Sequence, residues 1–467
     1  MTAPEPGRTG GEGPPRALIV ACGFPPTSDP TSYRWLRFAG GLARLGWGVE
    51  VLTPRPAPRF EFFDPALAER ISAEVAVHRA HPGIYQPRVW RARLSRAVAV
   101  PDATGKRAGR GSGARDVPRT LLRDLDQRLH SWKVPDPTFE WIVPGVLLGL
   151  RLLARRRFDL IVSSAAPFSS HVVAHRLHRW SRVPWVADFS DPFADNPFVA
   201  RPGWRRRMDR ALEASWFRDL EAAIVPVPEM KALFLRQHPR LRPESIHVVP
   251  YGFDEELLAA ARPHRFEGFT IVHTGSFYPA LRDPGPFFQA LAAVRDLPIR
   301  TVHAGVLAPE MAEAMRRLGL EERFEVLGLR PREEVCSLQL GGSCLLVIGN
   351  RGGVQLPGKV LDYLGAGRPI LALENDAHDI AARMVREAGA GPVVPNEPQA
   401  IERAIRQLFD WWRDGSLDSR FRHDGARRYS WSSLERELDR ALRGVLAGAN
   451  APAEATEPPA SAPAAGS

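Results

Sequence analysis

The sequence predicts an α/β protein of two doubly wound, mostly parallel sheets. Three observations carry this. Continuous apolar runs recur along the 467-residue chain, separated by helix-forming segments. Most of these runs end in a turn containing Gly, Pro, Ser or Asp. The series stops at a polar stretch around residues 254–268 and then starts again. A strand buried on both faces reads as an unbroken apolar run, and strands alternating with helices are the mark of a parallel sheet with helical crossovers.

In the first half the strands are expected at ALIVACGF (17–24), VEVLTP (49–54), FDLIVSS (158–164), PWVADF (184–189), AAIVPV (222–227) and IHVVPYGF (246–253). A helix from about Thr31 to Leu45 follows the first run, with Gly46 as its stop. In the second half the strands are FTIVHTGS (269–276), IRTVHAG (299–305), FEVLGL (324–329), CLLVIGN (344–350), PILAL (369–373) and GPVVP (391–395). A last helix is expected over about 431–447. The domain reading is therefore a tail at 1–15, a first domain at 16–260, a second at 261–428, a C-terminal helix at 429–449 and a tail at 450–467. Both tails are rich in Pro, Ala and Gly and are expected to be disordered. Residues 81–137 break the rhythm, and KRAGRGSGAR (106–115) reads as an irregular basic insert in the first domain.

Composition narrows the class. Three cysteines, Cys22, Cys336 and Cys344, lack metal-ligand spacing and are too few for a disulfide framework. The first 15 residues carry no apolar stretch, so no signal peptide is expected. The most apolar helical segment, Trp141–Ala154, falls short of the about 20 residues a bilayer span needs and is read as a buried helix. A cytoplasmic protein is the expectation. The net charge of +10 is uneven: residues 1–265 hold 40 Lys and Arg against 27 Asp and Glu, a net +13, and the remainder is −3. A basic half suits anionic ligands or an anionic membrane surface. Trp204-Arg205-Arg206-Arg207 is the segment expected to touch lipid headgroups. No nucleic-acid-reading motif is present, so no nucleic-acid partner is expected.

Four segments carry candidate chemistry. In LPGKVLDYLGAGRPILAL (356–373) a helix opens at Pro357-Gly358, so its positive end and Lys359 make an anion site. Asp362, one turn on, can accept hydrogen bonds from ribose hydroxyls. The plain alternative is a surface pair between Lys359 and Asp362. In HTGSFYPALRDPGPF (273–287), Gly275 and Ser276 let backbone amides approach a phosphate, and Arg282 can grip a pyrophosphate. In CGFPPTSDPTSYRWLRFAGGL (22–42), the loop after the first strand brings Gly23, Ser32, Tyr33 and Arg34 towards the cleft. In ADFSDPF (187–193), Asp188 and Asp191 follow a strand and are the candidate catalytic carboxylates, or else turn and N-cap residues.

These segments, in this order over about residues 16–447, resemble the family-4 type of retaining glycosyltransferases, of the bacterial cell-surface or exopolysaccharide kind. The Gly-Lys-x-x-Asp-Tyr-Leu…Gly-x-Pro-Ile string is the specific part. The resemblance implies the GT-B fold, two Rossmann-like domains facing a cleft. It implies a nucleotide-sugar donor on the second domain, a glycan or lipid-linked acceptor on the first, retention, and neither metal nor cofactor. By it Arg282, Lys359, Gly275, Ser276 and Gly358 hold the donor phosphates and Asp362 replaces the family's ribose-binding Glu. Asp188 and Asp191 act in the cleft, with Gly23 and the Thr27–Tyr33 loop at phosphate or acceptor. The expected setting is polysaccharide biosynthesis, peripheral on the inner membrane face. There are departures: Val354 stands where members carry Glu, Ser163, Ser164 and Ala165 where many carry His, and Ser190 where related sequences have Arg. They motivate one alternative, a non-catalytic nucleotide-sugar-binding scaffold; a second, a nucleotide-sugar 2-epimerase, keeps the fold but would need a His and carboxylate set that the second domain does not display in its sequence.

Overall fold

The computed structural model describes residues 13–56, 63–83, 133–196, 201–277, 281–351 and 356–450. The basic segment 106–115, the body of the 81–137 insert, Val354 and nearly all of both tails lie outside these residues.

The first sheet contains β1 (Arg16–Ala21), β2 (Gly48–Pro54), β3 (Ala76–Ala80), β4 (Leu160–Ala165), β5 (Trp185–Phe189), β6 (Ala222–Val225) and β7 (Ile246–Val248). Its spatial order is β3-β2-β1-β4-β5-β6-β7. The second contains β8 (Phe269–Thr274), β9 (Ile299–Ala304), β10 (Phe324–Val326), β11 (Cys344–Ile348), β12 (Ile370–Glu374) and β13 (Val393–Pro395), ordered β10-β9-β8-β11-β12-β13. Every strand pair is parallel, with Ile19 set between Val51 and Val162 in the first sheet and Val272 beside both Val302 and Leu345 in the second. In each sheet the order reverses beside its first strand, between β1 and β4 and between β8 and β11. The loops leaving the carboxyl ends of those strands part there and open a crevice.

The expected strands are present; β1, β6, β7, β8, β9, β10 and β11 end earlier than the apolar runs, and the others keep or slightly extend their carboxyl ends. One strand was missed. β3 reads AVHRA and only Ala80 is buried, so this edge strand carries no apolar run. The expected buried helix is a correction. Helix Ile142–Arg155 buries Gly145, Gly149 and Leu152, while Val143 is 67% and Leu147 60% exposed. Its glycines let it lie close: a Cβ at Gly149 would stand 2.5 Å from Leu177.

The chain crosses between the halves twice. Phe253 hydrogen-bonds Tyr429 and Trp431 through the backbone. The last helix, Trp431–Asn450, then packs on the first helix, Pro30–Arg44, burying Trp431, Leu434, Leu438 and Leu442 with Trp35 and Phe38. Arg44–Glu435 at 2.7 Å and Trp47–Asp439 at 2.6 Å fix its register.

Candidate functional site

A cavity of about 480 Å³ lies at the switch point of the first sheet. Asp29, Thr31, Ser190, Asp191 and Tyr251 line it from the first half, and Leu356 and Gly358 from the second. Asp29 is the N-cap of helix Pro30–Arg44, its carboxylate accepting from the backbone N and Oγ of Ser32 at 2.9 and 2.8 Å. Tyr251 donates to Ser190 Oγ at 2.9 Å, and burial pushes its phenol up to about 12. It therefore stays protonated at neutral pH. Asp191 is thus the candidate carboxylate that the structure places at the cleft, and Gly358 reaches it from the opposite half.

The structure corrects the reading of five neighbours. Asp188 is fully buried beneath this cavity, accepting from Arg34 Nε and Nη2 at 3.0 Å each and from Trp35 Nε1 at 2.8 Å. Arg34 spends its remaining donors on the carbonyls of Val249 and Pro250. Neither can touch a substrate in this arrangement: they pin the first helix to β5 and to the segment after β7. Ser32 is fully buried against Asp29, and Gly23 is packed against both, a Cβ there lying 3.0 Å from Ser32 Oγ. These two shape the loop, and Asp29 and Thr31 line the space. Tyr33 points elsewhere, its hydroxyl donating to Asp254 and its ring lying 4.5 Å beneath the guanidinium of Arg332 from the second half.

The second half presents a basic corner at its own switch point. Helix Lys359–Ala366 starts at Gly358 and has no side-chain cap. Gly275 takes a left-handed φ of +84°, turning the chain sharply after β8; a Cβ there would lie 3.6 Å from Lys359 Cε. Gly305 packs still closer, its imagined Cβ falling 2.4 Å from the Gly275 carbonyl oxygen. Arg282 donates through Nε to Asn350. Burial, and secondly the charge of Arg282, hold the Lys359 amine well below its ordinary value. Arg282 and Lys359 packed with this loop form a place for an anion, because an arriving negative charge favours the protonated amine and offsets both its desolvation and its repulsion from Arg282.

Asp362 is one turn along the same helix and faces Arg332 at 3.6 Å rather than Lys359, so the simple surface pair is not formed. Arg332 thereby joins Asp362 to Tyr33 across the two halves. Sequence reasoning missed Arg332, Asp254 and the histidines His273 and His303 behind Lys359, and covered Asp29 only as part of the Thr27–Tyr33 loop. The histidines sit inside apolar strand runs, where the pattern reads as core. Arg332 and Asp254 become visible only when the halves meet. Among the described residues no cluster of three or more His, Cys, Asp or Glu is placed to hold a metal, and no helix is long and apolar enough to cross a membrane.

Two Rossmann-like parallel sheets whose crevice edges face one another define the GT-B class of fold. Residues 31–252 match the family model described as the Glycosyl transferase 4-like domain. No curated protein matches the chain at significance. Solved structures share the architecture over nearly the whole chain. Sucrose-phosphate synthase from Thermosynechococcus elongatus aligns at TM-score 0.61 and 14% identity, covering 93% of this chain and 100% of its own. Anabaena HepE, solved in complex with UDP-glucose, aligns at 0.57 and 14%, covering 92% and 100%. A Listeria monocytogenes protein described as a UDP-N-acetylglucosamine 2-epimerase aligns at 0.54 and 13%, covering 93% and 97%. At these identities the likeness is one of fold.

Proposed function

We propose that the protein is a glycosyltransferase that moves a sugar from a nucleoside-diphosphate donor to a glycan or lipid-linked acceptor, with retention and without a bound metal, in cell-surface polysaccharide synthesis. The observation that supports it best is the convergence of Lys359, Arg282 and the Gly275 turn at the start of one helix, which itself reaches the cavity holding Asp191. The diphosphate leaving group then meets two cations and a positive helix end, which stabilise the charge that develops as the glycosidic bond breaks. Asp362, with Arg332 beside it, is suited to the ribose. Tyr251, Ser190, Asp29 and Asp191 offer donors and acceptors to sugar hydroxyls. The likeness to HepE with its UDP-glucose supports a nucleotide-sugar ligand.

The test is a thermal-shift panel with UDP, GDP, ADP and TDP on the wild type and on Lys359→Ala. A nucleotide at 100 times its Kd stabilises by about 2.7 kcal/mol. One diphosphate that stabilises the wild type and not the variant supports the site; no response to any of them removes the reading. Because the fold is shared with an epimerase, the products of the matching NDP-sugar decide the reaction. A 2-epimer formed without acceptor points to the alternative, and anomer-retaining transfer to the proposal.

The acceptor side is proposed to rest on an anionic membrane. Helices Ile142–Arg155 and Ser169–Ser181 border a groove of about 890 Å³ containing Val143, Leu147 and Trp180, with Arg176 and Arg179 among its lining residues. Trp180 is 79% exposed, an arrangement in which apolar side chains enter the interface and guanidinium groups meet headgroups. Arg205 is a correction here: it is buried on Asp209 and the carbonyls of Lys133 and Pro135, while Arg206 and Arg207 are exposed. Flotation with phosphatidylglycerol vesicles should be lost in a Leu147→Glu/Trp180→Glu variant; a wild type that does not float ends this part of the proposal.

A further inference from the structure

Behind Lys359 sit two imidazoles that the donor site as described does not use. His273 on β8 and His303 on β9 are 1% and 0% exposed. Their Nδ1 atoms are 2.9 Å apart, and His273 Nε2 meets Lys359 Nζ at 2.7 Å. Phe277 stacks on both rings, with centroids at 4.0 and 4.8 Å, which fixes their planes. His303 Nε2 is buried without a hydrogen-bond partner among the described residues, beside the backbone of Val306.

Each of the two nitrogen–nitrogen contacts holds one proton, and the row Lys359–His273–His303 can point its donors in either of two directions; one state of each direction bears on anion binding. In one, Lys359 is an ammonium that donates to His273 Nε2; His273 Nδ1–H then donates to His303 Nδ1, and His303 carries its other proton on Nε2. In the other, every proton is shifted one place: Lys359 is a neutral amine accepting from His273 Nε2–H, His303 Nδ1–H donates to His273, and His303 Nε2 is bare. The two states differ by one proton. The titratable groups facing Lys359 are the neutral His273 and His303 from the two strands, and the charged group is Arg282 from the loop; Asp362, on its own helix, is turned to Arg332. Burial keeps both imidazoles neutral, His303 down to about 4. With no anion present, the burial of Lys359 and the nearby Arg282 charge favour the neutral state. A diphosphate reverses that preference.

We propose that His273 and His303 are positioning residues that hold Lys359 against the nucleoside diphosphate and relay to it one proton taken up from solvent on binding. The proton enters at His303 Nε2, the Nδ1 proton of His303 passes to His273 Nδ1, and the Nε2 proton of His273 passes to Lys359 Nζ, so one proton is consumed and none is left over. The inference rests on the donor site proposed above.

The experiment is calorimetry of UDP binding at about pH 8, above the second phosphate ionisation near 6, in buffers of different ionisation enthalpy. Across a pH series the wild type should take up protons with UDP, approaching one per UDP in the window in which Lys359 changes state, and there Kd should weaken as pH rises, towards about tenfold per pH unit. Lys359→Ala should bind more weakly with no uptake. His273→Phe keeps the stack on Phe277 and should abolish the uptake, and His303→Gln should move the pH profile of Kd. Wild-type binding without proton uptake overturns the relay and leaves the donor site standing; that measurement needs no variant to fold. Unchanged profiles in two folded histidine variants overturn the positioning role. Absence of binding by UDP, and by the other diphosphates of the panel, overturns the donor site and the relay together.

Discussion

Arg34 and Asp188 form a two-pronged ion pair in which both side chains are 1% exposed, with Nε and Nη2 each 3.0 Å from a carboxylate oxygen. It ties the first helix to β5 directly under the cleft. Every polar atom of the pair has a partner, so removing one side leaves a buried charge alone.

Asp188→Ala should therefore destabilise the protein by about 3–5 kcal/mol in urea titrations, the usual cost of breaking a buried pair. Arg34→Met/Asp188→Leu should recover a large part of that loss, because no orphaned charge remains. A folded, fully stable Asp188→Ala protein that has lost only turnover would return Asp188 to the catalytic list.

Lys359 gives the opposite stability effect. The unfolded chain keeps a lysine at about 10.4, whereas burial and Arg282 hold the folded, ligand-free amine lower. Between those values the unfolded state binds a proton that the folded state does not, so stability falls as pH falls through that window. At a pH within that window Lys359→Met should raise the ligand-free Tm while losing the stabilisation by nucleotide. A lower Tm in the absence of nucleotide would show that the site tolerates the charge unaided.

The phosphate turn should be sensitive to a single methyl group. Gly305→Ala places a Cβ 2.4 Å from the backbone oxygen of Gly275, so the turn beside Lys359 must move. UDP affinity should fall by at least about tenfold, since misplaced donors to an anion lose about 1.4 kcal/mol or more. Gly358→Ala is the contrast: the position has a helical φ of −52° and nothing within 4 Å, so affinity should stay within about threefold. Equal losses at both positions in calorimetry would remove the steric argument.

The two-sheet fold was legible because parallel strands buried on both faces write themselves as apolar runs, from ALIVAC to CLLVIGN. The edge strand β3 was not, since a half-exposed edge has no such run. At the site, Lys359, Gly275 and Gly358 were legible from a Gly turn running into a helix start. Asp188 was misread because a carboxylate just past the middle of a strand can turn to the cleft or to the helix beneath it, and Arg34, 154 positions away, decides which. His273 was hidden for a related reason: one imidazole in FTIVHT does not interrupt the strand pattern, and its role appears only when β9 brings His303 alongside. The exposed face of helix Ile142–Arg155 shows the same limit, since apolarity alone does not say what covers a helix.

Acid should weaken the fold through His171. Its imidazole is 0% exposed, shares a hydrogen bond of 2.8 Å with Ser163 Oγ, and lies against Phe189 and Trp216 at 4.5 and 5.3 Å. Burial lowers it to about 3, against about 6.5 in the unfolded chain. The neutral ring is costless above pH 6.5. Below that the unfolded state takes up a proton the folded state refuses, and stability is lost progressively until about pH 3, at up to about 1.4 kcal/mol per pH unit. At pH 5 this amounts to about 2 kcal/mol. His171→Phe keeps an aromatic ring in the same setting and cannot titrate. Relative to the wild type it should therefore gain about 2 kcal/mol in urea titrations on passing from pH 7.5 to pH 5, whatever the substitution costs at pH 7.5. His303 contributes in the same direction in both proteins and cancels from the comparison. A difference between wild type and variant that is the same at both pH values would show that His171 protonates within the native state, which would require the layer of Phe189 and Trp216 to admit water.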